Sequence, residues 1–324
     1  MADVTVDVLM PYYGDPELLR AAVRSVLAQH DPHWRLTVVD DGSVDLSDWF
    51  AGLADKTNGR VRYLRNPHNL GVTGNFNRCL ELVEHELVVL MGCDDLLLPD
   101  YVGTVRRAHD AAPEAGIIQP GVVLIDGAGN PVWTLVDAAK RWIYAPRKRR
   151  HQKHGYQKRG WLMLDGEDLA ASLLRGDWLY FPSLCWTSAA ITSVRFREDL
   201  RVIQDLALLI ELVVGGQRLL VDDTVCFQYR RHVDSTSSAT ALAGSRFTEA
   251  ERYFLETAES MRAHGWRRAA RVARRHLSSR LFALTLLPGA LRAPDLAAAG
   301  TLARHAFTPS GGLSRSRRRS AGTA

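Results

Sequence analysis

Within the first 126 residues, four apolar runs each end in acid, glycine or proline, and amphipathic helical patterns separate them. "VTVDVLMPYY" is stopped by Pro11, "RLTVVDDGS" closes on Asp41-Gly42, "RVRYLRNP" is the third, and "HELVVLMGCDD" ends at Asp94-Asp95. Between the first two, "DPELLRAAVRSVLAQ" puts Leu18, Leu19, Ala22, Val23, Val26 and Leu27 on one face, with Asp15 as N-cap and Pro16 in the first turn. Further helices are expected at about 72–84 and over "YVGTVRRAHDAA", with extended segments in "AGIIQPGVVLID". Apolar strands alternating with amphipathic helices need a mostly parallel sheet covered on both faces, an α/β fold. In such sheets ligands bind beyond the carboxyl ends of the strands. That is where "PYYGD", "DDGS" and "CDD" fall.

From about 127 to 165 the pattern weakens into a loop carrying the basic run "RKRRHQKHGYQKR" at 147–159. Order returns with the short helix "GEDLAASLLRG", the segment "FPSLCW" and the helix "QDLALLIELVVGG", which Gly215-Gly216 stops. "QRLLVDD" and "VCFQYRRH" read as two strands. A Ser/Thr/Ala/Gly linker follows. Residues 246–308 then read as helices rich in Ala, Leu and Arg, and residues 309–324 as a basic tail expected to lack order. The expected organisation is a domain over 1–238, in halves 1–126 and 127–238, with the helical region behind it.

Hydrophobic residues at 46% and charged ones at 24% describe a soluble globular chain. The net charge of +5 is concentrated in 147–159, in "RRAARVARR" and in "SRSRRR". Such clusters suit a phosphate-bearing ligand, nucleic acid, an anionic membrane surface, or simply solvent. Cys79, Cys93, Cys185 and Cys226 form no CxxC pair, so neither a zinc site nor a disulfide framework is indicated. "MADVTVDV" lacks a basic start and an apolar stretch, so no signal peptide is expected, and "LFALTLLPGALRA" is too short to span a bilayer. The expected location is the cytoplasm, with contact at the inner membrane face left open.

Each acidic cluster has two readings. Asp40-Asp41-Gly42-Ser43 is a capped turn, or a carboxylate accepting hydrogen bonds from a base or ribose. Asp94 and Asp95 repel unless a cation or donors compensate them. As hard oxygen ligands they suit Mg²⁺ or Mn²⁺ shared with substrate phosphates, while Pro99 and Asp100 can open a helix below them. "NLGVTGNFN" is neither a GxGxxG fingerprint nor a Walker loop, but its Asn and Gly residues suit helix capping or close approach to a ligand. Asp205 is a helix N-cap or a general base. The cluster "YRRH" combines rigid guanidinium forks with a titratable imidazole.

Taken in order, "PYYGD", "DDGS", "NLGVTGNFN", "CDDLLLPD", "QDLALLIELVVGG" and "YRRH" resemble the family 2 glycosyltransferases over roughly residues 4–238. These are inverting enzymes of the GT-A, nucleotide-diphospho-sugar transferase fold. The resemblance implies a mostly parallel central sheet flanked by helices, and a helical C-terminal region. It implies transfer of a sugar from a nucleotide-diphosphate donor, UDP- or dTDP-linked by preference, to a hydroxyl of a glycan, lipid-linked or small-molecule acceptor. A divalent cation, Mg²⁺ or Mn²⁺, would assist, and nucleic acid is not an expected partner. At matching positions, Pro11, Tyr12, Tyr13 and Asp15 would surround the nucleotide and Asp41 would recognise its base. Asn69, Gly71 and Asn75 would line nucleotide and sugar, with Asp94 near the ribose or sugar. Asp95 and His232 would hold the metal, and Arg230 and Arg231 would face the leaving diphosphate. Asp205 would be the general base, with Gln204 where the family usually has Glu. Ser183 and Trp186 would face the acceptor, in cell-envelope glycan or secondary-metabolite synthesis. Two alternatives stay open. A sugar-1-phosphate nucleotidyltransferase would want a Gly-rich loop with Arg or Lys after the first strand, and "PYYGDPELL" lacks one. A noncatalytic module binding nucleotides or anionic surfaces would rest on the basic segments.

Overall fold

In the computed structural model, which describes residues 4–132, 161–231, 245–292 and 296–307, the first apolar run forms β1 (Val6–Tyr12). Asp15 caps α1 (Pro16–Leu27), its Oδ1 accepting from the Glu17 N–H at 2.8 Å. The helix buries Leu19, Ala22, Val23 and Val26 against the sheet's core. β2 (Trp34–Asp40), α2 (Ser47–Lys56), β3 (Val61–Arg65), α3 (Gly71–Leu80) and β4 (Leu87–Leu90) then keep the alternation expected of the sequence. After the acidic pair the chain makes a two-residue strand, β5 (Leu96–Leu97), before α4 (Tyr101–Ala111). β6 (Ile117–Ile125), β7 (Pro131–Val132), β8 (Trp161–Leu164) and α5 (Gly166–Arg175) follow. A 3-10 turn at Phe181–Ser183 leads to β9 (Cys185–Thr187), α6 (Ser188–Ile191), α7 (Gln204–Val214) and β10 (Leu219–Arg230).

The strands form one sheet in the order β3-β2-β1-β4-β9-β6-β10-β5, with β7 on β6 and β8 on β10. β2 and β4 flank β1 in parallel, β3 runs parallel to β2, and β10 runs parallel to β6. β9 is inserted antiparallel between β4 and β6, which leaves those two pointing the same way. The carboxyl ends of β1, β2, β3, β4, β6 and β10 therefore share one edge. Where the sequence suggests two strands over residues 217–232, a single bulged strand forms. At that bulge the backbones come very close. A Cβ on Gly121 would sit 2.7 Å from the Asp223 carbonyl oxygen and 2.8 Å from that of Thr224, so only glycine fits.

A separate helical unit comprises α8 (Ser245–Ala263), α9 (Arg267–Arg275), α10 (Leu277–Arg292) and α11 (Leu296–Phe307). Its core joins Phe247, Ala283, Ala290, Ala299 and Leu302, with buried His276 and His305 alongside. None of the described helices is long and apolar enough to cross a membrane. Burial, followed by the charges of His276 and Arg280, pushes His305 down to about 4, and burial lowers His276 as well. A histidine kept neutral by folding contributes stability that is full above its unfolded value of 6.5 and is lost as pH falls towards 4. Melting of the full chain, followed by circular dichroism, should therefore weaken between about pH 7 and pH 5, by on the order of 1–2 kcal/mol. His305→Leu should flatten that slope. A slope the variant leaves untouched would exclude the buried imidazole as its source.

Candidate active site

The parallel strands are laced together at their carboxyl ends. The Asp41 N–H donates to the Tyr12 carbonyl, the Asn66 N–H to the Asp40 carbonyl, and the Met91 N–H to the Leu9 carbonyl. Asp40 is fully buried and serves the turn. Its Oδ1 accepts from the Gly42 and Ser43 N–H groups, and its Oδ2 from the Tyr63 hydroxyl at 2.6 Å. Asp41, also buried, faces the other way. Its Oδ1 accepts from Asn66 Nδ2 at 2.9 Å and from the Leu70 N–H at 2.7 Å. Asn69 donates to the Asp41 carbonyl and accepts from the Gly71 N–H. Gly71 has φ +73°, a conformation that favours glycine at the entrance of α3. Asn75 is buried, accepting from Asn66 and donating to the Val39 carbonyl. The expected group Asp41, Asn69, Gly71 and Asn75 is thus brought together. Asn66, which bridges Asp41 and Asn75, was not among the expected residues, and its one sequence signal is a polar side chain directly after a strand, before Pro67.

The loop after β1 divides its residues. Tyr13 is 67% exposed, and Pro11 is half-buried at the strand end. Tyr12 corrects the sequence reading: its ring belongs to the sheet's core, with no exposed surface, and its hydroxyl donates to the Gly14 carbonyl. Period-2 alternation turns it inward. Asp15 spends one oxygen on capping α1. Ser43, from the neighbouring strand's loop, accepts the Gly14 N–H at 3.0 Å and ties the two loops together.

Asp94 and Asp95 lie in the turn between β4 and β5. Asp95 is 1% exposed, and its Oδ1 accepts the Arg230 N–H at 2.8 Å. Burial first, and then the charge of Asp94, hold the Asp95 carboxyl well above the usual carboxylate range. The remaining oxygens converge over Gly92. The position a Gly92 Cβ would occupy is 2.6 Å from Asp95 Oδ2 and 2.9 Å from Asp94 Oδ1. Two hard oxygens bordering one small space, in surroundings that resist a second negative charge, fit a divalent cation. Among the described residues no cluster of three His, Cys, Asp or Glu side chains surrounds a common point. Such an ion would therefore draw on these two carboxylates together with donor oxygens, as Mg²⁺ commonly does. His232 lies outside the described residues.

Arg230 differs from expectation. It is buried, and its guanidinium donates to main-chain carbonyls: Nε to Asp94 at 2.8 Å, and Nη1 to Asp126 at 2.9 Å and Gly127 at 2.8 Å. It pins the acidic turn in place of reaching a phosphate. Arg231 is exposed at the end of β10.

Asp205 lies half-buried in the first turn of α7, its Oδ1 accepting from the Leu206 N–H. Its neighbour Gln204 is buried and accepts from the Thr73 hydroxyl at 2.7 Å. Asn77 exchanges two hydrogen bonds with the Phe196 backbone. Together they strap α3 to the segment that presents Asp205. Tyr229 is influenced by both acidic groups. Burial, then the charges of Asp95, Asp94 and also Asp205, raise its phenol to about 12. The Tyr180 and Tyr229 rings lie 5.4 Å apart.

The two expected acceptor residues are corrected. Trp186 is fully buried in β9 between β4 and β6, against the Phe181 ring, and offers no face to a sugar. Ser183 is fully buried as well. Its hydroxyl donates to the Tyr180 carbonyl and accepts from Gln119 Nε2, and its own carbonyl accepts from the Tyr101 hydroxyl. It fixes the turn that carries Tyr180, whose half-exposed ring is the better candidate for contact.

The sequence model described as glycosyl transferase family 2 matches residues 7–168, half of the chain. The succinoglycan biosynthesis protein ExoW of Rhizobium meliloti is 36% identical over 106 residues, which are 32% of each chain. Among solved structures, S. aureus TarS 1-349 in complex with UDP-GlcNAc is similar with a TM-score of 0.62 and 15% identity. The match covers 93% of this chain and 81% of that one. The mannosyltransferase PcManGT of Pyrobaculum calidifontis, in complex with GDP-Man and Mn²⁺, is similar with a TM-score of 0.54 and 15% identity, over 95% and 82% of the two chains. At such identities the structural likeness speaks for the fold.

Proposed function

Since the chain belongs to glycosyl transferase family 2 and is a glycosyltransferase, we propose that it moves a sugar, with inversion, from a nucleoside-diphosphate donor to an acceptor hydroxyl. The observation that carries this reading is that the carboxylates expected to hold the metal and to act as base, Asp94, Asp95 and Asp205, all act electrostatically on one side chain, the phenol of Tyr229 near the end of β10, while Asp94 Oδ1 and Asp95 Oδ2 converge over Gly92. Asp41, Asn69, Gly71 and Asn75 would receive the nucleotide beside the exposed Tyr13 ring. UDP-linked donors are favoured, consistent with the UDP-GlcNAc bound by TarS. A cell-envelope polysaccharide intermediate is the favoured acceptor, consistent with the biosynthetic role in the name of ExoW.

Asp94 and Asp95 would hold a divalent cation, as the oxygens converging over Gly92 suggest. Bound there, it would supply positive charge against the negative charge that builds on the departing diphosphate. Arg231, exposed at the end of β10, would add to that charge. Asp205 takes the proton of the acceptor hydroxyl as its oxygen attacks the anomeric carbon. The bond to the diphosphate oxygen breaks on the opposite face, and the electron pair leaves with the nucleotide. Tyr180 and Tyr229, 5.4 Å apart, offer rings against which an acceptor sugar can lie.

The test mixes the protein with Mn²⁺ and UDP-, dTDP- and GDP-sugars, following nucleoside diphosphate release and thermal shift. At least one donor should raise the melting temperature and be slowly hydrolysed. No response to any donor overturns the proposal.

A further inference from the structure

α10 (Leu277–Arg292) buries one side and leaves the other bare. Ala283 and Ala290 face the helical core, while Leu277, Leu281, Leu284 and Leu291 are 56%, 57%, 40% and 60% exposed. Their spacing, with exposed Pro288, is four, three, four and three residues, so they form one stripe along the helix. Phe282 widens it at 40% exposure, and between Leu281 and Leu291 no residue is charged. An ordinary surface helix puts its charges on this side. An apolar stripe of this extent on the outside of a folded unit marks a surface meant to be covered.

Arginines crowd the sequence on either side of the stripe. The stretch 260–294 has eight of them and no carboxylate. Arg275 is exposed in the last turn of α9, beside Arg274, which pairs with Glu259 at 2.9 Å, and His276, with φ 31°, carries the chain straight into Leu277. The Arg246 guanidinium sits 5.2 Å from the centre of the Phe282 ring. A second copy is a poor fit for this face, because a two-fold contact lays a patch on itself and would set arginines against arginines. An anionic bilayer fits both halves, since acyl chains receive the leucines and lipid phosphates receive the guanidinium groups.

We propose that the exposed side of α10, with the arginines of α9, is a docking surface for an anionic lipid bilayer on which the helix lies flat. At sixteen residues the helix is too short to cross. The proposal is independent of the transfer chemistry.

Flotation of the full chain with phosphatidylcholine vesicles, with and without about 30% phosphatidylglycerol, tests it. The chain should float with the anionic vesicles and much less with the neutral ones. The variant Leu281→Gln, Leu284→Gln, Leu291→Gln should lower partitioning at least about tenfold, because it removes three of the stripe's four exposed leucines. All three are exposed, and an unchanged melting temperature would show that the fold survives. Independently, Arg271→Gln with Arg275→Gln should reduce binding to anionic vesicles only, and salt at about 0.5 M should do the same to the wild type. Absence of binding to anionic vesicles, or undiminished binding by the leucine variant, overturns the proposal. So does a lipid-free dimer that the leucine variant makes monomeric, which would assign the face to a second copy.

Discussion

Replacing Asp205 by Asn should lower kcat by about a thousandfold while leaving the donor KM within about twofold. Asn keeps the shape of the side chain, and its amide oxygen can still accept the Leu206 N–H that now holds Oδ1 at 2.8 Å. The strap from Thr73 to Gln204 is untouched, so the first turn of α7 should stay where it is. What disappears is the capacity to accept a proton. A base that acts only as the acceptor hydroxyl attacks contributes to the transition state and little to ground-state donor binding. Steady-state rates of nucleotide release, with and without acceptor, separate the two effects. Near-wild-type kcat in the Asn variant would assign the base elsewhere. Asp205→Glu should recover a small part of the rate, because its carboxylate is displaced by one methylene.

The elements that position this site were legible wherever local chemistry decides them. Strand ends show in sequence because a buried apolar run must stop where acid or glycine leaves the sheet, as at Asp40 and Asp95. Asp15 reads as a cap because capping is a matter of adjacent residues. Illegible were the features set by partners distant in sequence. β9 is three residues long, and only its place between β4 and β6 makes it a strand and encloses Trp186. Arg230 reads as a phosphate ligand from its neighbours Arg231 and His232. Its carbonyl partners at Asp94, Asp126 and Gly127 come from two other turns. Three leucines after an acidic pair look like the start of a helix. Leu96 and Leu97 instead pair with Gln228 and Phe227 of β10, an arrangement that no local signal announces.

That pairing has a consequence for charge. β5 and Arg230 fasten both ends of the acidic turn to β10, so Asp95 cannot swing out to solvent to relieve the repulsion from Asp94. A rigid pair of carboxylates, one of them buried, either takes up a proton or meets a cation. The upward shift of Asp95 inclines the protein alone towards the first. A divalent ion would compete with protons for the pair, so its binding should weaken as pH falls.

Gly92→Ala tests whether the two oxygens act together. Gly92 is not in the left-handed region, so the backbone itself tolerates alanine. The new methyl would lie 2.6 Å from Asp95 Oδ2 and 2.9 Å from Asp94 Oδ1, well inside normal contact. Asp94 is half-buried and can turn away, but Asp95 is held by the Arg230 N–H in a buried pocket. The methyl must therefore separate the oxygens. The concentration of Mn²⁺ giving half-maximal activity should rise by about 10–100-fold, the range seen when the support of metal ligands is disturbed. The residues proposed to receive the nucleotide around Asp41 lie on other strands, so affinity for the free nucleoside diphosphate without metal should change little. An unaltered metal response in this variant would mean that Asp94 and Asp95 do not share an ion, and the acidic pair would then be a structural turn alone.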